Sequence, residues 1–225
     1  MLALKRGIDV VLGLALLLAV LPVLAVLAIA VWAETGAPVL FRCQRLGRGG
    51  RPFTMYKFRT MALGAERALQ TLRSRNVAQG MVKIADDPRV TTLGRLFRRF
   101  SLDELPQLWN VVRGEMSLVG PRPHELGEVS LEDPVHLQRL RMRPGLTGLW
   151  QIRARTDPSL AIRVRYDLEY IHGWSLLADF AIALKTIPLV LQGQGGAPRV
   201  HRQDLVPEVA RGDGAGRKAP GVERR

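Results

Sequence analysis

Two adjacent acids, Asp103 and Glu104, stand between the basic residues Arg98 and Arg99 and the start of an apolar helical pattern. The stretch reads Arg98-Arg99-Phe100-Ser101-Leu102-Asp103-Glu104-Leu105-Pro106-Gln107-Leu108-Trp109-Asn110. A carboxylate among basic side chains can attack an electrophile or ligate a cation. Acids also gather at helix starts for structural reasons, because they satisfy orphan N–H groups and complement the macrodipole. On local grounds both readings stay open, and either one favours the carboxylate form of the pair.

The element that must position these acids is a short helix. Leu105, Leu108, Trp109 and Val112 follow the i, i+3, i+4, i+7 spacing of a face packed on a core. Arg113 and Gly114 supply its stop. Ser101 and Glu104 have the spacing of a capping box. Pro106 opposes a helix that begins so early, so the pattern predicts a tight turn over Ser101 to Leu105 and a regular helix from about Pro106.

The chain has 225 residues and a formal net charge of +13, which calls for anionic partners: nucleic acid, acidic lipid headgroups or phosphorylated substrates. Aromatic residues make up 6%, and the Arg and Lys side chains are not set beside stacking platforms, which argues against nucleic acid. The single cysteine, Cys43, excludes an intramolecular disulfide and a thiolate metal site. His124, His136, His172 and His201 lack metal-ligand spacing, and no P-loop or dinucleotide fingerprint occurs. Arg122 lies between Pro121 and Pro123, a stiffened backbone on which a guanidinium can hold a phosphate at low entropic cost.

Three regions follow from composition: 1–36, 37–192 and a Gly/Pro/Arg-rich basic tail at 193–225 read as disordered. The first contains an uncharged run from Val10 to Ala33, which spans ~36 Å as a helix against a bilayer core of ~30 Å. Lys5 and Arg6 precede this run, and Arg42, Arg45, Arg48 and Arg51 follow it, so both flanks are drawn to the cytoplasmic side. With Pro22 near the middle, these charges fit a re-entrant hairpin; an ordinary span with a tolerated proline also fits.

In the second region, the runs Pro38–Arg42 and Pro52–Phe58 around Gly47-Arg48-Gly49-Gly50 predict a β-hairpin. Helices are predicted over 66–75, 93–100, 131–142, 158–171 and 176–191, with turns at 86–89 and 143–151. The 93–100 segment sets Leu93, Leu96, Phe97 and Phe100 against Arg95, Arg98 and Arg99, a basic amphipathic pattern suited to a membrane surface. The 176–191 segment carries only Asp179 and Lys185 as charges and reads as core or interfacial.

Several longer motifs occur in fixed order: Lys57-Phe58-Arg59-Thr60-Met61, Asp87-Pro88-Arg89, Ser101 to Gln107, Asn110-Val111-Val112, Met116 to Pro123 and Pro144-Gly145-Leu146-Thr147-Gly148. Together, from Lys5 to about Gly193, they closely resemble the bacterial sugar transferase family, the monotopic polyprenyl-phosphate phosphoglycosyl transferases. The resemblance implies an α-rich α+β monotopic membrane protein. It would have an N-terminal re-entrant, broken helix, a small β-hairpin and amphipathic interfacial helices.

The implied reaction moves a sugar phosphate from a UDP-sugar to polyprenyl phosphate, such as undecaprenyl phosphate, releasing UMP at the cytoplasmic face of the bacterial inner membrane. Asp103 is implied as the nucleophile and Glu104 as its Mg²⁺-associated partner, with Arg122, Lys57, Arg59 and Arg99 near the phosphates. Lys5, Arg6 and Asp9 are implied at the mouth of the membrane helix and Pro22 at its break. Some relatives have Ser-Pro at that break, where this chain has Leu21-Pro22. The sugar and the oligomeric state stay open. A basic peripheral membrane protein without catalysis is the first rival reading; a membrane-tethered nucleic-acid binder, suggested by net charge alone, is the second.

Overall fold

The computed structural model describes residues 1–72, 84, 86–127, 132–155, 157 and 159–195. Most of the basic tail, the end of the helix expected over 66–75 and the starts of those expected over 131–142 and 158–171 lie outside these residues. The described residues are helix-rich with two small sheets.

Helix α1 runs over Leu2–Thr35, 34 residues, and Pro22 lies inside it without ending it. The interruption expected at Pro22 is therefore absent from the helix, since the apolar run on both sides continues to favour helical pairing of its backbone. Lys5, Arg6, Asp9, Val10, Gly13, Leu17, Val20, Leu24, Leu27, Ala28, Val31 and Thr35 are buried or half-buried, a stripe of three- and four-residue steps. That stripe packs against the rest of the chain. Gly13 meets Val111 so closely that an added Cβ would stand 3.0 Å from its Cγ1. Leu24, Leu27 and Ala28 pack on the cluster of Val31, Phe58 and Phe97. The other faces of α1 expose Leu4, Val11, Leu18, Leu21, Val26, Ile29 and Trp32.

The expected hairpin forms from β1 (Leu40–Leu46) and β2 (Pro52–Phe58), antiparallel with Cys43 opposite Met55. Helices α2 (Ala65–Leu72) and α3 (Thr92–Arg99) follow, and the Thr91 hydroxyl caps α3 by accepting from Gly94 N at 2.9 Å. A single 3-10 turn over Leu102–Glu104 leads into α4 (Gln107–Arg113), which Gly114 ends at φ 86, a value that favours glycine. The turn, the start near Pro106 and the stop agree with the sequence reading.

The buried face of α4 does not. Gln107, Leu108, Asn110 and Val111 are buried, whereas Trp109 is 47% exposed. The cause is Asn110, which sits beneath β2 as a surrogate strand. Its Oδ1 accepts from Tyr56 N at 3.2 Å, and its Nδ2 donates to Thr54 O at 2.7 Å. Polar pairing with backbone, rather than apolar periodicity, sets the rotation of this helix.

Strand β3 (Ser117–Val119) is followed by β4 (His124–Glu125), which pairs with β1 to give the sheet order β2-β1-β4. Helix α5 covers only Pro134–Arg139, with Asp133 capping its start, so it is shorter than the 131–142 expectation. The segment read as a turn at 143–151 instead holds β5 (Gly145–Thr147), parallel to β3, and α6 (Leu149–Arg153). Glycine explains this. A Cβ on Gly145 would come within 2.1 Å of Gly120 N, and one on Gly148 within 2.1 Å of Gly120 O. Two backbones can therefore meet where side chains would hold them apart. Helices α7 (Leu160–His172) and α8 (Leu176–Leu191) close the fold, and α8 exposes Leu177, Phe180, Leu184, Ile187 and Leu191 along one stripe.

Candidate active site

Asp103 and Glu104 lie in the 3-10 turn between α3 and α4, with Asp103 buried and Glu104 half-buried. Ser101 adopts φ 56 and makes no cap; its Oγ instead accepts from Arg155 Nη2 at 2.8 Å. The expected capping box is absent because this left-handed residue turns the hydroxyl away from the helix start and toward Arg155.

Three elements bring cations to Glu104. Lys57, near the end of β2, places Nζ 3.4 Å from Glu104 Oε1. Arg122, just beyond β3, places Nη1 4.0 Å from the same oxygen. Arg155, after α6, adds its field. Burial pushes Glu104 up, but Lys57, then Arg122 and Arg155, outweigh it and hold the carboxyl at about 2.

Asp103 behaves in the opposite way. Burial, reinforced by the charge of Glu104, raises it above the ordinary carboxylate value despite Lys57 and Arg98. The helix start thus does not set both acids alike. One is a fixed anion inside a ring of cations; the other, without an ion pair among the described residues, is the more basic oxygen centre.

Arg122 is held from several sides. Its backbone N donates to Asp167 Oδ1 at 3.3 Å, and its guanidinium lies 5.4 Å from the Trp150 ring centroid. Asp167 also accepts from the buried Arg139, and Arg163 approaches the Trp150 ring at 5.0 Å. Pro121 and Pro123 flank this anchored residue, as the sequence suggested.

Not every expected phosphate-binding residue joins the group. Arg59 is buried elsewhere and donates through Nη2 to Thr35 O and Thr35 Oγ1, at the C-terminal end of α1. Arg99 is exposed, and its guanidinium lies over Phe100. Arg98, whose Nε donates to Thr60 Oγ1 at 2.9 Å, is instead the α3 cation that acts on Asp103. Arg98, Arg155, Trp150 and Asp167 were not singled out in the sequence as site residues. Only the basic pair Arg153 and Arg155 after the Gly-rich segment could have pointed there.

A cation would find few ligands. Among the described residues no group of three or more His, Cys, Asp or Glu converges. Mg²⁺ commonly takes one or two carboxylates and completes its shell with water and substrate phosphate oxygens, so the adjacent Asp103 and Glu104 fit that sparse mode.

At the mouth of α1, Lys5 Nζ donates to Asp179 Oδ2 at 2.6 Å and to Val119 O at 3.0 Å. Arg6 donates to Val111 O and Val112 O at 2.7 and 2.9 Å, satisfying carbonyls at the end of α4. Asp9 Oδ1 accepts from Leu118 N at 3.0 Å. All three face the protein interior.

The family model described as bacterial sugar transferase matches residues 1–193. The exopolysaccharide production protein ExoY of Sinorhizobium fredii is 44% identical over 196 residues, covering 85% of this chain and 87% of that protein. The UDP-glucose:undecaprenyl-phosphate glucose-1-phosphate transferase of Caulobacter vibrioides is 42% identical, covering 83% of this chain and 69% of that protein. The undecaprenyl-phosphate galactose phosphotransferase of Salmonella typhimurium is 39% identical, covering 85% and 41%. With the match spanning all but the tail, this chain belongs to the bacterial sugar transferase family.

Proposed function

We propose that this enzyme transfers a sugar 1-phosphate from a UDP-sugar to polyprenyl phosphate, undecaprenyl phosphate in bacteria, through a covalent intermediate on Asp103. The names of the Caulobacter and Salmonella relatives support the substrate classes. The observation that carries the mechanism is the unequal pair: Glu104 is neutralised by Lys57 and Arg122, while the raised Asp103 beside it has no ion-pair partner among the described residues.

In the first displacement an Asp103 carboxylate oxygen forms a bond to the phosphorus that bears the sugar. The bond from that phosphorus to the bridging oxygen breaks, and its electron pair leaves with UMP. In the second, an oxygen of polyprenyl phosphate attacks the same phosphorus, the acyl phosphate bond breaks and the Asp103 carboxylate returns. Lys57, Arg122 and Arg155 orient the diphosphate and spread its charge. Asp103 and Glu104 would hold Mg²⁺, which when bound offsets repulsion between carboxylate and diphosphate. Screening UDP-sugars for UMP release with polyprenyl phosphate tests the reaction. Release by wild-type chain and loss in Asp103→Asn are expected; equal release by both would refute it.

One-sided insertion at the cytoplasmic face of the inner membrane is the topology that fits this chemistry. Its support is that α1 docks on the catalytic part at both ends, through Lys5 and Asp9 at one and Thr35 at the other, while exposing apolar side chains between them. Cysteine labels placed near residue 1 and near residue 48 should react from the same side. Opposite-side labelling would restore a full span.

A further inference from the structure

A second basic group lies at the N-terminal mouth of α1, lined by Lys5, Arg6, Arg48, Arg141 and Arg143 around Asp9. Beside Arg6 of α1, Arg48 comes from one loop and Arg141 and Arg143 from another, and the backbone pins those loops together. Gly49 N, at the tip of the β1–β2 hairpin, donates to Leu140 O at 2.7 Å, which sets Arg48 beside Arg141 and Arg143. Arg143 is fixed by its Nε donating to Gly114 O at 2.8 Å.

The cluster is not neutralised from within. Lys5 is answered by Asp179, and Arg6 is engaged by the α4 carbonyls. Asp9 is the only acid lining the depression, and its Oδ1 is held by Leu118 N. Among the described residues no ion pair involves Arg48, Arg141 or Arg143. Burial and then the like charges of Arg6 and Arg48 lower Arg143, with Asp9 opposing them by less, the pattern of a cation set that a further anion would relieve. Leu2 lines the same depression and is exposed, as is Leu4, so the arginines stand where the apolar surface of α1 begins.

We propose that Arg48, Arg141 and Arg143 bind the phosphate of an anionic membrane lipid at the mouth of α1. A lipid is favoured over a soluble anion because the cations adjoin exposed leucines, which suit acyl chains and not a hydrated phosphate. The lipid phosphate would fix the depth and orientation of α1 without taking part in transfer. The proposal rests on one-sided insertion of α1 and is independent of the chemistry at Asp103.

The full chain is reconstituted in nanodiscs of phosphatidylcholine with phosphatidylglycerol, and retained lipid is counted by native mass spectrometry. Wild-type chain should keep phosphatidylglycerol in preference to phosphatidylcholine. Arg48→Gln/Arg141→Gln/Arg143→Gln should lose that preference by roughly a hundredfold, while UMP release in detergent is kept. Equal retention by wild type and variant overturns the site. Displacement of the lipid by inorganic phosphate alone overturns its assignment to a lipid. If the triple variant does not fold, Arg141→Gln, at an exposed position, carries the same comparison with a smaller expected loss. Failure of the chain to enter nanodiscs would count against the insertion and hence the proposal, leaving the Asp103 chemistry untouched.

Discussion

Lys5 and Asp179 join the first helix of the chain to its last described one, with Nζ 2.6 Å from Oδ2 and both side chains nearly buried. Tyr170 Oη donates to Asp179 Oδ1 at 2.7 Å, and Trp174 Nε1 to Oδ2 at 3.2 Å. Lys5 also grips Val119 O, three residues before Arg122. The apolar helix and the segment that carries Arg122 therefore share one polar anchor.

Lys5→Met leaves Asp179 buried without its cation and should cost about 3 kcal/mol of stability. The unfolding midpoint in detergent measures this. Lys5→Met/Asp179→Leu should recover part of the loss, because no uncompensated charge then remains. A single variant as stable as wild type would show that the pair contributes little.

Arg155 acts on Glu104 and bonds Ser101, so Arg155→Gln should lower turnover by about 10²-fold, the usual effect of removing one preorganised donor. Its unfolding midpoint should change little, since burial already disfavours that charge. Parallel loss of midpoint and turnover would make its role structural instead.

Asp87 gives a pH test away from the acid pair. Arg89 donates to it through Nη2 at 2.6 Å and Nε at 2.9 Å, and these bonds hold the carboxyl below its ordinary value of 3.8. For an acid depressed by folding, the contribution is complete above that value and lost as pH falls through the lower folded one. Wild type should therefore lose stability more steeply than Asp87→Asn as pH falls below about 4. Thermal unfolding across that range checks the difference in slope; identical slopes would remove Asp87 from the account.

How much of this could be read from the sequence depended on how local its cause was. The hairpin was legible because Pro52–Phe58 is β-rich and Gly47 to Gly50 supplies a turn. Helix α8 was legible from Leu176 to Leu191 because sixteen residues carry only two charges. Strand β5 was hidden because its three residues exist through the close approach of Gly145 to Gly120, a distant partner. Trp109 looked like core until Asn110 proved to be the residue that β2 requires. Within the site, Asp103, Glu104, Lys57 and Arg122 stood in named motifs. The charge of Arg155 acts on Glu104 from about fifty residues away in the sequence, and the spacing around Asp103 carries no trace of it.

The unequal acid pair is the centre of the account, and a covalent adduct tests it most directly. The purified chain is mixed with UDP-sugar alone, quenched within one turnover, digested and mass-mapped. A sugar-phosphate mass is expected on the peptide that contains Asp103, removed when polyprenyl phosphate is added. Active enzyme with no such adduct, or an adduct that persists in Asp103→Asn, would contradict it.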